Sequence, residues 1–220
     1  MNVIIGLAGV KTSGKSTVCN MFREFIKADE SALADKLKNV SAEVFGLERN
    51  QFDAQELKEV PFDTPIILTA QNIADVLNGF NLSFSVKEFE NLYGELVGTE
   101  LSSPRRVAQF VGTEILRATG DEDIHCDNVT INENNITIIS DLRFPNEYEY
   151  FQNKHNNGEL TFIPLYVQRD EAEKHVTEDS HPSEKGVFIF SDKCIKIDNN
   201  GTFSNTEGQV KSIVDTYNMA

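Results

Sequence analysis

The chain has 220 residues, 40% hydrophobic and 25% charged, with 35 acidic against 20 basic side chains for a formal net charge of −15. This ordinary globular composition excludes a fibre, a disordered tail and a disulfide miniprotein, and at roughly 100–200 residues per domain it predicts one α/β domain over 1–220 with a small inserted region. The acidic surplus argues against a polynucleotide partner, because nucleic-acid affinity rests on neutralising phosphates with Lys and Arg; a small anionic substrate needs only a local gathering of basic residues.

The start, MNVIIGLAGV, lacks the basic lead and small-residue cleavage site of a signal peptide, and the chain contains no run of about 18 apolar residues. The expectation is therefore a cytoplasmic protein with no membrane partner, and nothing in the composition argues against a homodimer. Residues 3–8 are apolar and rich in β-branched side chains, and read as a first strand; GVKTSGKST follows, and then an apolar rhythm at Val18, Met21, Phe22, Phe25 and Ile26 marks a helix. A second short strand is predicted over 31–34 and a helix over 36–45, ending before Gly46. Residues 47–102 carry acidic stretches, two prolines and a helix predicted over 86–96; they read as an insertion over one edge of the domain. Ser103 then caps a helix with Pro104 at its first position, running to about residue 118 with Val107, Val111 and Ile115 as its buried stripe.

The run ITIIS, 136–140, has the apolar character of a strand inside a parallel sheet, and Pro145 opens a helix to about 153. Residues 160–168 give the next strand, a polar stretch over 171–186 interrupts the order, and 194–197 and 206–217 supply a last strand and a terminal helix. Strands alternating with helices predict a mostly parallel five-stranded sheet with helices on both faces and a ligand crevice at the carboxyl ends of the strands. Cys19, Cys126 and Cys194 are odd in number and form no CxxC pair, so reduced thiols are expected and no structural metal.

GVKTSGKS, residues 9–16, matches G-x-x-x-x-G-K-[ST] in full, between a predicted strand and a predicted helix. Gly9 and Gly14 let the backbone approach phosphates, the amides at the helix start point at the anion, Lys15 reaches the β and γ phosphates, and the Ser16 hydroxyl can ligate Mg²⁺, with Lys11 and Ser13 completing the cofactor-binding loop. Thr17 reaches further down the phosphate chain. A glycine-rich turn with a solvated lysine is the bland alternative, which the flanking elements disfavour. The motif specifies a nucleoside triphosphate without separating kinase from GTPase, transporter ATPase or helicase; neither an N-K-x-D guanine signature nor an LSGGQ-like signature is present, and the domain is too small for a helicase.

A second cluster of positive charge lies in SPRRVAQFVGTEILR, residues 103–117. Arg105, Gln109 and Thr113 recur at i, i+4, i+8 beside the buried stripe, with Arg106, Glu114 and Arg117 flanking them. An arginine fork suits a phosphate dianion and a Gln or Thr on the same face suits a base or sugar edge; an amphipathic helix whose arginines pair with local carboxylates is the competing reading. Asp141 and Arg143 follow the strand ITIIS at its carboxyl end, where Asp141 could order Mg²⁺-bound water and Arg143 could clamp either the acceptor or the transferring phosphate. Asp35 and Lys38 follow the second strand and could orient an acceptor, or simply open a helix with an acid near its amino end. The polar 171–186 stretch, with Arg169 just before it, reads as a mobile lid over about 170–186. Its histidines have neither cysteine partners nor i, i+4 pairing, which argues against a metal.

Taken in order, GVKTSGKST, ADKLK, SPRRVAQFVGTE with Arg117, SDLRFPNE, the QRD turn, HPSEKG and DNNGT resemble the phage-type deoxynucleoside monophosphate kinases over most of the chain. The resemblance implies a three-layer P-loop kinase fold with an acceptor-binding helical region over about 47–118, ATP and Mg²⁺ as donor, and a deoxynucleoside monophosphate as acceptor. It further implies that Arg105, Gln109 and Arg143 hold the acceptor, that Arg169 with the lid closes over the transferring phosphate, and that Asn200 and Thr202 belong to an adenine-side loop. A P-loop kinase for another small phosphorylated acceptor and a non-catalytic nucleotide-sensing module are the alternatives.

Overall fold

The computed structural model describes residues 2–132 and 135–219. The apolar run near the start forms β1 (Asn2–Ala8), followed by α1 (Lys15–Phe25) and β2 (Ala28–Ser31). Next come α2 (Asp35–Phe45), α3 (Asn50–Asp53), β3 (Ile66–Ile67), α4 (Ala70–Gly79), α5 (Val86–Tyr93), β4 (Glu100–Leu101), α6 (Pro104–Phe110) and α7 (Ile124–Asp127). The chain continues through β5 (Ile136–Leu142), α8 (Pro145–Asn156), β6 (Leu160–Gln168), three short helices α9 (Asp170–Glu173), α10 (Pro182–Lys185) and α11 (Val187–Phe190), then β7 (Ile195–Asp198) and α12 (Phe203–Thr216). It divides into two compact units, residues 1–33 with 129–220, and residues 34–128.

The first unit carries a five-stranded, all-parallel sheet in the order β2-β5-β1-β6-β7. On one face Ile5, Leu7, Ile163, Leu165 and Val167 pack with Val18 and Phe22 of α1 and Val210 and Val214 of α12. On the other, Phe162 meets Tyr148 and Phe151 of α8, and Tyr148 stacks on Phe190 of α11 with ring centroids 5.3 Å apart. Successive residues of β6 thus serve opposite faces, the period-two geometry of a strand, and because both faces are covered the central strands read as near-continuous apolar runs. The result is the expected three-layer α/β arrangement, with the loops after β1, β5, β6 and β7 gathered at the carboxyl ends of the strands.

Several boundaries differ from the sequence reading. β2 pairs Ala28–Ser31 with Ile136–Ile139, three residues earlier than predicted. It is an edge strand and therefore polar: Asp29 accepts hydrogen bonds from Asn132 at 2.8 Å and Asn135 at 2.6 Å. The apolar Leu33 that drew the prediction lies just past the strand, buried, with its N–H donating to Asp141 Oδ1 at 2.7 Å. The stretch expected to be a polar lid is partly built: it contains α9 and α10, and buries Ala172 and Glu184.

The second unit is helical, with β3 and β4 as a short antiparallel pair. Leu37 and Val40 of α2, Ile73, Val76 and Leu77 of α4, Tyr93, and Val107, Val111 and Ile115 form its core. α4 was not anticipated; it starts on a Thr69–Asn72 capping box, whereas the expected helix from residue 86 starts on the Ser85–Glu88 box. The Ser103 cap holds as read, its hydroxyl accepting from the Arg106 N–H at 3.2 Å. Beyond Phe110 the helix widens to i→i+5 pairing over Val111–Leu116 and closes in a 3₁₀ turn, Arg117–Thr119, before Gly120 in the left-handed region. Val107, Val111 and Ile115 are all fully buried. Cys19, Cys126 and Cys194 are buried free thiols, and burial pushes those of Cys19 and Cys194 up to about 12. Among the described residues no helix is long and apolar enough to cross a membrane.

Candidate functional site

The loop of residues 9–14 joins the carboxyl end of the central strand β1 to the amino end of α1. Its backbone coils through positive φ at Gly9 (150°), Thr12 (63°) and Gly14 (100°). Gly14 is the position where a side chain is least tolerable: its φ lies in the left-handed region, and a Cβ would run into the Asn199 side-chain amide. Lys15 Nζ donates to the carbonyls of Gly9 (2.6 Å) and Val10 (2.8 Å), which folds the lysine over its own loop. Ser13 Oγ is buried with no hydrogen-bond partner among the described residues, while Ser16 and Thr17 present exposed hydroxyls on the first turn of α1. That first turn contains no acid, so the partial positive charge of the helix amino end, about half a unit, is left for an incoming anion.

The other strand ends in this unit place further groups beside the loop. Asn199, one residue past β7, donates from Nδ2 to the Ser13 carbonyl at 2.8 Å and accepts from the buried Thr206 hydroxyl at 3.0 Å. Arg169, exposed at the end of β6, donates to the Thr12 carbonyl at 3.4 Å. Asn200 accepts from the Asp170 N–H and donates to Asp198, and Thr202 caps α12. At the end of β5, Asp141 is tied to the Leu33 N–H, and the backbone N–H of Arg143 donates to the buried Glu147 carboxylate at 2.7 Å. The Arg143 guanidinium donates to Glu184 Oε1 at 2.8 Å, and Glu184 Oε2 accepts from the Lys11 N–H at 2.6 Å. Burial would push the Glu184 carboxyl up, but Arg143, the Lys11 N–H and Lys15 together outweigh it and hold the group below the usual carboxylate range.

Of the residues singled out in the sequence, Gly9, Lys11, Ser13, Gly14, Lys15, Ser16, Thr17, Asp141, Arg143, Arg169, Asn200 and Thr202 lie in this unit. Glu184 and Asn199 lie in the HPSEKG and DNNGT segments without a role of their own in the sequence reading; their partners lie 173 and 186 residues away in sequence, so no local pattern announces those contacts.

Asp35, Lys38, Arg105, Arg106, Gln109, Thr113, Glu114 and Arg117 all lie in the second unit. Several are engaged with neighbouring charges. Arg49 pairs with Asp35 at 2.7 Å and also with Asp53, which Lys38 meets at 3.0 Å. Arg105 meets Glu59 at 3.4 Å, and Arg106 meets Glu114 at 3.5 Å with its guanidinium over the Phe110 ring. Burial pushes the Glu114 carboxyl up despite Arg106. Gln109 and Thr113 are half-buried beside them.

A glycine loop at the end of a central parallel strand, opening a helix and edged by a lysine and two arginines, gives an α/β domain with a three-layer P-loop kinase fold. No protein-family model matches the chain. It is similar over nearly its whole length to a protein of Acanthamoeba polyphaga mimivirus provisionally assigned as a deoxynucleotide monophosphate kinase: 26% identity over 229 aligned positions, covering 97% of this chain and 96% of the relative. It is also similar to the deoxynucleoside-5′-monophosphate kinase of Escherichia phage T5, with 24% identity over 219 positions, covering 85% of this chain and 86% of that enzyme.

Proposed function

We propose that the chain is an ATP-dependent deoxynucleoside monophosphate kinase that moves the γ-phosphoryl group of ATP to a deoxynucleoside monophosphate, giving the diphosphate and ADP. The observation that carries this reading is the end-to-end likeness to the mimiviral protein provisionally assigned as such a kinase: the phosphate loop, the arginine helix and the 170–186 stretch belong to one continuous similarity rather than to a shared loop alone. It acts on free nucleotides in the cytoplasm.

The residues present fit the donor. The buried Ser13 Oγ has no hydrogen-bond partner among the described residues and the first turn of α1 carries no acid, both of which suit a phosphate, and the Ser16 hydroxyl and Asp141 carboxylate are the oxygen donors Mg²⁺ prefers, Asp141 acting through water. Bound ATP would supply the γ-phosphoryl group, and a Mg²⁺ held by the Ser16 hydroxyl and, through water, by Asp141 would neutralise phosphate charge. Gly9, Lys11, Ser13, Gly14, Lys15, Ser16 and Thr17 form the phosphate cradle, and Asn200 and Thr202 border the adenine. Asp35, Lys38, Arg105, Arg106, Gln109, Thr113, Glu114 and Arg117, with Arg143, hold the acceptor. The Arg105–Glu59 pair is no obstacle, because a half-exposed pair at 3.4 Å is worth at most about 1 kcal/mol and yields to a phosphate dianion.

The acceptor oxygen is already anionic at neutral pH, so the protein needs no strong general base; its residues position the reactants and neutralise charge. Holding two reactants in line is worth roughly 7–11 kcal/mol, and an arginine on the transferring group about 10³–10⁵ in rate. Lys15, Arg143 and Arg169 are therefore the costly losses. The test is ADP release from ATP and Mg²⁺ with each deoxynucleoside and ribonucleoside monophosphate in turn, beside Lys15→Ala and Arg105→Ala. Turnover with deoxynucleotides, lost in both variants, is expected; no stimulation by any nucleotide overturns the reading and points to a phosphorylated non-nucleotide acceptor.

A further inference from the structure

Glu184 has no role in the mechanism above, yet it is one of the few charged side chains the fold buries, with 8% of its surface exposed. Its two oxygens serve two different parts of the molecule. Oε1 accepts from the Arg143 guanidinium at 2.8 Å and Oε2 from the Lys11 N–H at 2.6 Å. The first partner follows the end of β5 and the second belongs to the loop after β1, so a single carboxylate spans the two groups whose separation the reaction must fix.

The backbone around Glu184 is seated as firmly. The helix α10 that carries it is capped by His181, whose Nδ1 accepts from the Ser183 N–H at 3.2 Å. Its far end meets the Arg143 backbone at Gly186, where a Cβ would come within 2.6 Å of the Arg143 carbonyl oxygen. The stretch therefore touches Arg143 twice, through a carboxylate on its side chain and through a glycine against its backbone.

We propose that Glu184 is a positioning residue: its carboxylate bridges the Arg143 guanidinium and the Lys11 amide, and so fixes the arginine at a set distance from the phosphate loop. The inference rests on the reading of Arg143 as the arginine at the transferring phosphate. An arginine acts on a transferring group only if its fork is already oriented, since a misplacement of about 1 Å costs on the order of 10²-fold in rate. A carboxylate suits the task because both oxygens accept. An amide in its place has one acceptor and sets its NH₂ against either Arg143 or the Lys11 N–H, both of which are donors.

The experiment compares Glu184→Gln, Arg143→Ala and the double variant in steady-state kinetics, and follows Lys11 amide hydrogen exchange by NMR in protein without nucleotide. Glu184→Gln is expected to lower kcat by about 10²-fold with KM for ATP changed less than about threefold, and to cost less than about twofold further in the Arg143→Ala background, the non-additivity of groups acting through one another. The Lys11 amide should exchange faster in Glu184→Gln than in the parent. Gly186→Ala, which removes no charge, should accelerate the same amide by displacing the end of α10. Equal fold-losses in both backgrounds, or an unchanged Lys11 amide, overturn the proposal. If the parent protein phosphorylates no nucleotide, the kinase reading fails by itself, and Lys11 exchange still decides whether Glu184 makes the bridge.

Discussion

Two carboxylates carry opposite shifts and so make opposite predictions. Glu184 is held below the usual carboxylate range because its cationic and N–H partners outweigh burial. A depressed folded-state value contributes stability that is full above the unfolded value, near 4.5, and is lost as pH falls through the lower folded value. Glu114 is displaced upward by burial, Arg106 notwithstanding, with no partner from another residue on Oε2 among the described residues. Its charged form opposes folding, so the cost is absent below 4.5, builds as pH rises from there to the raised value and is full above it. Glu184→Gln should therefore destabilise the protein at pH 7, and Glu114→Gln should stabilise it there; the Glu114→Gln gain shrinks as pH falls from the raised value to 4.5, and the Glu184→Gln loss begins to shrink only below about 4.5. Urea unfolding of the three proteins between pH 4 and 7.5 checks this; a Glu114→Gln protein less stable than the parent at pH 7 would show that the Arg106 pair outweighs the burial.

Gly14 supplies a sharper local test. Gly14→Ala adds both a left-handed strain and a collision with Asn199; strain of this kind costs about 1–3 kcal/mol, and each kcal/mol lowers the thermal midpoint of a chain this size by roughly 2–4 °C. A fall of several degrees together with loss of ATP binding by calorimetry is expected. A variant that retained both would mean the loop rearranges around a new side chain.

At the scale of elements, the helix opening at Ser103 separates what local chemistry specifies from what packing adds. The cap and Pro104 are local, and Ser103→Ala should cost about 1 kcal/mol, read as a fall of a few degrees in the thermal midpoint. In the reading of this helix as the acceptor side, KM for the deoxynucleotide should rise and KM for ATP stay unchanged. An equal rise in both would detach the helix from the acceptor. The wide turn over Val111–Leu116 has no comparable signature, since Val107, Val111 and Ile115 sit at spacings an unbroken α-helix would also use. Legibility followed the same line elsewhere. β1, the loop and α1 were readable because an apolar run, two glycines and an apolar rhythm are contiguous. β2 was misplaced because an edge strand with Asp29 and Glu30 lacks the apolar pattern of its neighbours, and α4 was missed because its capping box uses Asn72 where a Glu is the familiar signal. Glu184 and Asn199 lie in the legible HPSEKG and DNNGT segments, but their contacts are defined by partners that only the folded sheet brings near.

For the whole molecule, a net charge of −15 sets a far field that repels nucleotides, so binding must depend on short-range clusters rather than on steering. Those clusters fall in two units, each with its own buried core, and the proposed donor residues lie in one while most of the proposed acceptor residues lie in the other. Each ligand should therefore leave a separate footprint. ATP with Mg²⁺ should slow amide exchange over residues 9–17 and leave 103–117 little changed, and a deoxynucleoside monophosphate should do the reverse. At about 100 times its dissociation constant each ligand adds roughly 2.7 kcal/mol to the state it binds, which corresponds to about a hundredfold slowing where exchange proceeds through opening of that state. Lys15→Ala should erase the first footprint and keep the second, and Arg105→Ala should do the opposite. Protection by the monophosphate over 9–17 alone would move the acceptor out of the 34–128 unit, and with it the roles assigned to Arg105 and Gln109.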